Sequence, residues 1–401
     1  MGNKYDRAAT KGGPSLLAAF KGNIRQYTMI IALVAILGIF AVLTEGVNLS
    51  SRNLTNLLQQ MATVGIATCG MVMIMVAAHI DLAAGSIIGF TGAVAAVLLV
   101  NMNMNVWLAI LLTLGVGLLI GAWQGVWVAY AGVPAFIVTL AGQLIFRGAV
   151  IGVTNSTSIA PNNPIFKQIG QGFFMEDFRI AGMNVPALII GILCVAAYII
   201  MTLRKRNSRK KHGYDVESTS LFLTKLIGIS ALIAFLFYYV LIINRGISYA
   251  VIILAVIVGV FTIVTQKTPF GRHIYAIGGN REAARLSGIN IKKTNFVIFV
   301  LAGLVTAISG IVYTSRLNAA AISGGTGMEL DIIAACIIGG TSTLGGEGTV
   351  PGCIIGAMVM ATIDNGMSLM GMGSFEQYVV KGLVLLLAVW VDIATRKNKN
   401  S

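Results

Sequence analysis

The sequence predicts an all-α integral membrane protein: a polytopic helical bundle of about twelve crossings, with broken helices and both termini cytoplasmic. Three observations predict it. Of 401 residues, 57% are hydrophobic and only 10% charged, with a mean hydropathy of +0.86, where a soluble domain carries about 25% charged residues. Apolar runs follow one another, most of them near the twenty or so residues that cross about 30 Å of hydrocarbon. The net charge of +14 lies in the segments between these runs, as orientation signals do, which argues against nucleic acid as a partner.

Residues 1–26 form a basic cytoplasmic tail with Lys4, Arg7, Lys11, Lys21 and Arg25. The apolar run from Tyr27 to Leu43 has no small-x-small cleavage site after it, so it reads as an uncleaved first span within a transmembrane domain covering 27–394. The polar segment EGVNLSSRNLTN leads to a second span at 57–78. His79-Ile80-Asp81 breaks the chain before a third at 82–100, and NMNMN precedes a fourth at 106–130. Gly132-Val133-Pro134 introduces a fifth at 136–153. The long loop from Thr154 to Val185 then leads to a sixth at 186–203.

A basic linker, 204–220, comes next. The pair 221–243 and 247–265 follows, joined through Asn244-Arg245-Gly246. Beyond a polar loop at 267–293 lie a ninth span at 295–315, a thin apolar stretch at 330–340, two further spans at 350–371 and 375–394, and a cytoplasmic tail at 395–401. With the N-terminus inside and twelve crossings, the inside segments hold 20 of the 28 Lys and Arg residues. That bias fixes the orientation. It also makes the stretch from Asp331 a crossing, since without it the basic C-terminal tail would lie outside. The basic linker contacts lipid headgroups.

Asp81–Gly92 and Asp331–Ser342 align at an offset of 250 residues, matching at six of twelve positions. Their opposite directions of crossing suit an inverted repeat, in which broken helices line a transport path. Cys69, Cys194, Cys336 and Cys353 lie in apolar segments without metal-ligand spacing and read as small buried hydrophobes. Neither a phosphate-binding GxxxxGK[ST] nor a catalytic Ser-His-Asp set occurs, so no nucleotide, metal or catalytic site is predicted in this chain.

The loop at 267–293 is the most informative polar stretch. Arg281 to Ser287 reads as a helix of about two turns, too short to be stable alone in water. Asn280 serves as its N-cap, Glu282 lies in its first turn, Ala283 and Ala284 are strong helix formers, and Gly288 stands at the C′ position. Glu282-Ala283-Ala284 followed by Gly288 has the form E-A-A-x-x-x-G, and resembles the cytoplasmic EAA coupling loop of ABC-importer permeases. The wider string GRHIYAIGGNREAARLSGIN resembles the loop of monosaccharide permeases of the ribose, galactose and xylose type. So do IDLAAGS (80–86), GVPAFIVTLAGQLIFRG (132–148), GTGMELDIIAACIIGGTSTLGGEG (325–348) and YVVKGLVLLLAVWVD (378–392). The similarity runs from about Leu49 onward.

There are two departures. His79 stands where relatives commonly carry Gly, and 221–265 looks like an inserted helix pair relative to ribose-type permeases, as in xylose-type or multiple-monosaccharide members.

The resemblance implies a permease subunit in a bacterial cytoplasmic (inner or plasma) membrane, working as a homodimer. An extracytoplasmic binding protein delivers the sugar. A cytoplasmic ATPase, usually with both nucleotide sites on one chain, consumes ATP with Mg and drives transport. This chain then carries no cofactor. The resemblance also implies ATPase coupling through Arg272, Gly278, Asn280, Arg281, Glu282, Ala283, Ala284, Arg285, Leu286 and Gly288. Ala283 and Leu286 suit insertion into a groove, and the Arg281/Arg285 pair suits polar contact. An amphipathic helix lying on headgroups is the competing expectation.

Candidate residues for the translocation path are Asp81, Ser86, Glu329, Asp331, Asp364 and Asn365. Ionisable groups at membrane depth point to function, but Asp81 and Asp331 also suit capping of helix N-termini. Lys381 in the last span needs a partner, and Asp364 is the expected one. Arg147 is expected to snorkel, and His79 to be solvated. An ion-coupled secondary sugar carrier using Asp81, His79, Glu329 and Asp331 is the alternative from another class.

Overall fold

The computed structural model describes residues 24–214, 216 and 218–400. The basic tail expected at 1–26 lies, up to residue 23, outside them. Among the described residues, eight helices are long and apolar enough to cross a membrane, and Met29–Leu43 and Ala84–Val100 are shorter apolar helices. The protein is an all-helical multi-pass membrane protein in its main architecture. A two-residue antiparallel hairpin, β1 (Arg179–Ile180) and β2 (Met183–Asn184), is a small departure from that class.

The described residues divide into two compact units, one formed by Met175–Gly246 with 24–28, the other by Met29–Phe174 and 247–400. The second takes in α1 (Ile24–Leu43) from Met29 on, then α2 (Ser51–Val76), α3 (Ala84–Val100), α4 (Val106–Ala129) and α5 (Ala135–Val153). The long loop that follows holds a short helix, α6 (Pro164–Gln171). Every residue of α2 from Met61 to Val76 is buried. A helix apolar all round has no solvent or lipid face to keep and takes the centre of the bundle.

In the first unit, α7 (Val185–Lys211) runs eight residues past the predicted end of its span and takes in much of the basic linker. The Asn184 side chain accepts from the Ala187 N–H at 3.0 Å and starts the helix. It packs on α8 (Thr219–Leu236), whose last turn widens into a π-helical segment at Phe237–Ile242. Beside the hairpin, Arg245 donates from both Nε and Nη2 to the Glu176 carboxylate.

The second unit resumes with α9 (Tyr249–Lys267), which packs against α2. The polar loop then folds as two helices, α10 (Pro269–Gly279) and α11 (Arg281–Leu286), where only the second is legible in the sequence. Thr268 caps α10 by accepting from the Gly271 N–H, and Pro269 occupies the first turn, where its missing N–H costs nothing.

Next come α12 (Ile291–Leu317), α13 (Met328–Ile338), α14 (Val350–Leu369) and α15 (Ser374–Asn400). Helix α12 lies along α4, α2 and α3. Gly303 meets Gly117 so closely that a Cβ on it would stand 2.4 Å from the Gly117 carbonyl oxygen. Such contacts let helices pack backbone to backbone where hydrophobic driving force is missing.

The 11 residues of α13 span only about 16 Å. The 250-residue repeat does not hold as a structural register. Asp81 precedes its helix by three residues, whereas Asp331 is the fourth residue of α13.

Candidate functional site

Three polar clusters sit inside the helical core, and one polar surface lies on the α10–α11 loop. The first cluster forms where the chain breaks between α2 and α3. Ala78 takes a left-handed φ of +61° there, ending α2 and turning the chain toward α3. Asp81 is buried, and its Oδ1 accepts from the Ala83 N–H at 2.8 Å in the turn before α3. The N-cap position itself falls to Ala83, which has no side-chain cap, so Asp81 does not cap the helix as expected.

One turn on, Ser86 is wholly buried, and its hydroxyl has no hydrogen-bond partner among the described residues. The 324–329 segment approaches α3 at Gly85 and Gly89. A Cβ on Gly85 would fall 2.1 Å from Glu329 Oε2, so the carboxylate lies directly on the α3 backbone. Gln143 of α5 donates to Glu329 Oε1 at 2.8 Å. Arg147, one turn further, does not snorkel: its Nη1 donates to the carbonyls of Ile322 at 3.4 Å and Gly324 at 3.2 Å. These are acceptors that the non-helical 318–327 stretch leaves free, and a guanidinium serves two at once.

The second cluster joins α13, α14 and α15. Lys381 Nζ donates to Asp331 Oδ2 at 2.7 Å and to Asp364 Oδ2 at 3.1 Å. The Lys381–Asp364 pair therefore exists, but it is shared. Asp331 corrects its own expectation: Gly327 precedes α13 as its cap, and Asp331 faces Lys381 from inside the helix. Two carboxylates on one ammonium leave an excess negative charge, tolerable because all three groups meet.

The third cluster is a reciprocal amide pair. Asn53 Nδ2 donates to Asn365 Oδ1 at 2.7 Å, and Asn365 Nδ2 donates back at 3.1 Å. Asp364 and Asn365, adjacent in sequence, serve different clusters because successive helical residues point about 100° apart.

The six path candidates thus fall in three places. Gln143 and Asn53 were not singled out in the sequence. A lone amide in the apolar run from Ala135 to Phe146 is the signal that marks Gln143. His79 is half-buried and stands 3.1 Å, Nε2 to Nδ2, from Asn295 of α12, so it is not the solvated side chain expected. Among the described residues, no group of three or more His, Cys, Asp or Glu side chains is placed to hold a metal.

The surface helix α11 has the predicted caps. Asn280 Oδ1 accepts from the Ala283 N–H at 2.9 Å. At the other end, Gly288 has φ +82°, its N–H reaches the Arg285 carbonyl, and the Ile289 N–H reaches that of Ala284. A left-handed C′ residue is what lets both bonds form, and glycine takes that conformation without a Cβ penalty.

Only Ala284 of the helix is buried. Arg281, Glu282, Ala283, Arg285 and Leu286 face outward, as does Arg272 on α10. Leu286 is 80% exposed. Arg285 Nε donates to Glu282 at 3.0 Å. Gly278 faces inward, and a Cβ there would stand 1.7 Å from the Val76 carbonyl oxygen.

Helix α11 thus presents an exposed leucine on a backbone capped at both ends. The sequence pattern of the family described as the branched-chain amino acid transport system permease component matches residues 53–389. The chain belongs to this family. It is 44% identical over 391 residues to the xylose transport system permease protein XylH of Escherichia coli, covering 97% of this chain and 96% of that protein. It is 43% identical over 375 residues to the XylH of Haemophilus influenzae, covering 94% and 98%. Against the ribose import permease protein RbsC of Escherichia coli, identity is 32% over 376 residues, covering 93% and 95%. No solved structure matches the chain. These relatives are transport permeases, and nothing in them supports the ion-coupled carrier that Asp81, His79 and Asp331 also allow.

Proposed function

We propose that the chain is the permease subunit of an ATP-driven monosaccharide importer, with a pentose such as xylose as its sugar. The observation that carries this is near-full-length similarity to permeases named for xylose. The family's own description names branched-chain amino acids, but the xylose permeases set the substrate class because they match almost the whole chain at higher identity than the ribose permease does.

The subunit lies in a bacterial inner or plasma membrane and crosses it about twelve times, with both termini cytoplasmic, on the strength of the positive-inside count. Two copies form the path. A binding protein delivers sugar from outside, and an ATPase that uses ATP with Mg docks at α11. Glu282, Arg281 and Arg285 supply polar contacts there, while Ala283 and Leu286 enter an apolar groove on the ATPase. Alternation of access acts on the elements that carry Asp81, Ser86, Glu329, Asp331, Asp364 and Asn365.

Uptake of D-xylose into proteoliposomes tests the assignment. Uptake should require the chain, its ATPase, its binding protein and ATP together. Accumulation by the chain alone, driven by a proton gradient and indifferent to ATP, would sink it.

A further inference from the structure

The C-terminal end of α10 is wedged among the ends of both interrupted segments of the core. On one side is the break after α2, where the Val76 carbonyl approaches so closely that only a glycine fits at Gly278. On the other is the loop 341–349 between α13 and α14. Its Gly346 N–H donates to that same Val76 carbonyl at 2.9 Å. A Cβ on Gly345 would stand 2.8 Å from the Ala78 Cβ and 3.0 Å from the Gly278 carbonyl oxygen. One side-chain hydrogen bond closes the joint: Tyr275 Oη, on α10, donates to the Gly348 carbonyl at 2.6 Å. Gly348 immediately precedes Thr349, whose side chain caps α14 by accepting from the Gly352 N–H.

α10 is also tied to the surface helix. It runs into α11 through Asn280 alone, and Asn280 closes the first helix with its N–H and starts the second with its side chain. A push on α11 therefore cannot be absorbed by a slack linker. It reaches Gly278 and Tyr275, and from them the break that precedes Asp81 and the loop that follows Asp331. Short backbone contacts transmit displacement because close-packed groups cannot compress.

We propose that Tyr275 is a positioning residue that binds α10 to the 341–349 loop, so that movement of the coupling helix reaches α14 and the α2–α3 break together. This rests on the permease assignment above and adds to it a route and a residue. Tyr275 touches neither sugar nor ATPase in this scheme.

The test uses the purified transporter complex with D-xylose and its binding protein. In Tyr275→Phe, assembly, melting temperature and basal ATP hydrolysis should match the parent. Sugar-dependent stimulation of hydrolysis and D-xylose uptake should fall about tenfold, within the range of coupling between distant sites. Hydrogen exchange across 341–349 should rise at the same time. Stimulation and uptake equal to the parent would overturn the proposal. So would a parallel fall in assembly, melting temperature and basal hydrolysis, which would mark Tyr275 as merely structural. Glu282→Lys separates the two levels. If it abolishes ATPase association while Tyr275→Phe behaves as the parent, the docking role of α11 stands and the route through Tyr275 fails. If Glu282→Lys leaves association and stimulation intact, it is the docking role that fails.

Discussion

Lys381 Nζ lies 2.7 Å from Asp331 Oδ2, and the same ammonium reaches Asp364 at 3.0 Å, so one cation holds three helices by two carboxylates. Lys381→Met should leave both carboxylates uncompensated and lower stability by about 3–5 kcal/mol, the cost of breaking a buried pair. Combining it with Asp331→Asn and Asp364→Asn should recover most of the loss. A swap of Lys381 and Asp364 should fail to recover it, because Asp331 would then face a second carboxylate. Thermal unfolding in detergent measures all three; a stable single variant would refute the clamp.

Asn53 and Asn365 exchange two hydrogen bonds between α2 and α14. A double-alanine cycle at this pair should give a coupling energy of about 0.6–1.7 kcal/mol, the range for hydrogen bonds between membrane helices. A cycle that closes to zero would mean the amides do not depend on each other.

Gln143 holds one oxygen of Glu329. Gln143→Leu removes that donor without changing charge, and should lower D-xylose uptake by about tenfold, an effect of about 1.4 kcal/mol typical of a charge-assisted hydrogen bond. Gln143→Asn should be intermediate. Uptake by Gln143→Leu at the parent rate would remove the Gln143–Glu329 contact from the path.

The Glu176–Arg245 pair makes a prediction about pH. The Arg245 hydrogen bond and charge hold the Glu176 carboxyl below its usual value of 4.5. A depressed carboxyl stabilises the folded state above the unfolded pKa, and the contribution is lost as pH falls through the lower, folded one. With Arg245 57% exposed, the effect is small. Glu176→Gln should cost no more than about 1 kcal/mol at neutral pH, and the difference from the parent should vanish in acid. A difference that persisted well below pH 4.5 would contradict the pair's role.

Much of the architecture was legible because hydropathy and charge act locally. The break at His79–Asp81, the caps of α11 and the need of Lys381 for a carboxylate all follow from neighbouring residues. What was hidden depends on tertiary placement. Asp331 reads as a cap in sequence, but the helix begins three residues earlier, at Met328, and turns it toward Lys381. Arg147 looks like a snorkelling side chain until the 318–327 stretch folds back and presents its carbonyls. Helix α10 is hidden in the sequence because its three glycines and short length mask its period, while its register is set by Val76 and Gly346. The offset of 250 failed for a related reason: Ile, Ala and Gly recur so often in spans that matches carry little information about helix phase.

Entry of energy at α11 is tested most directly by a site-specific photocrosslinker. Placed at Leu286, which is exposed on that helix, it should yield an adduct with the ATPase in the assembled transporter, and the adduct should disappear in Glu282→Lys. An ATPase adduct formed from Arg209 on α7 but never from Leu286 would contradict the account.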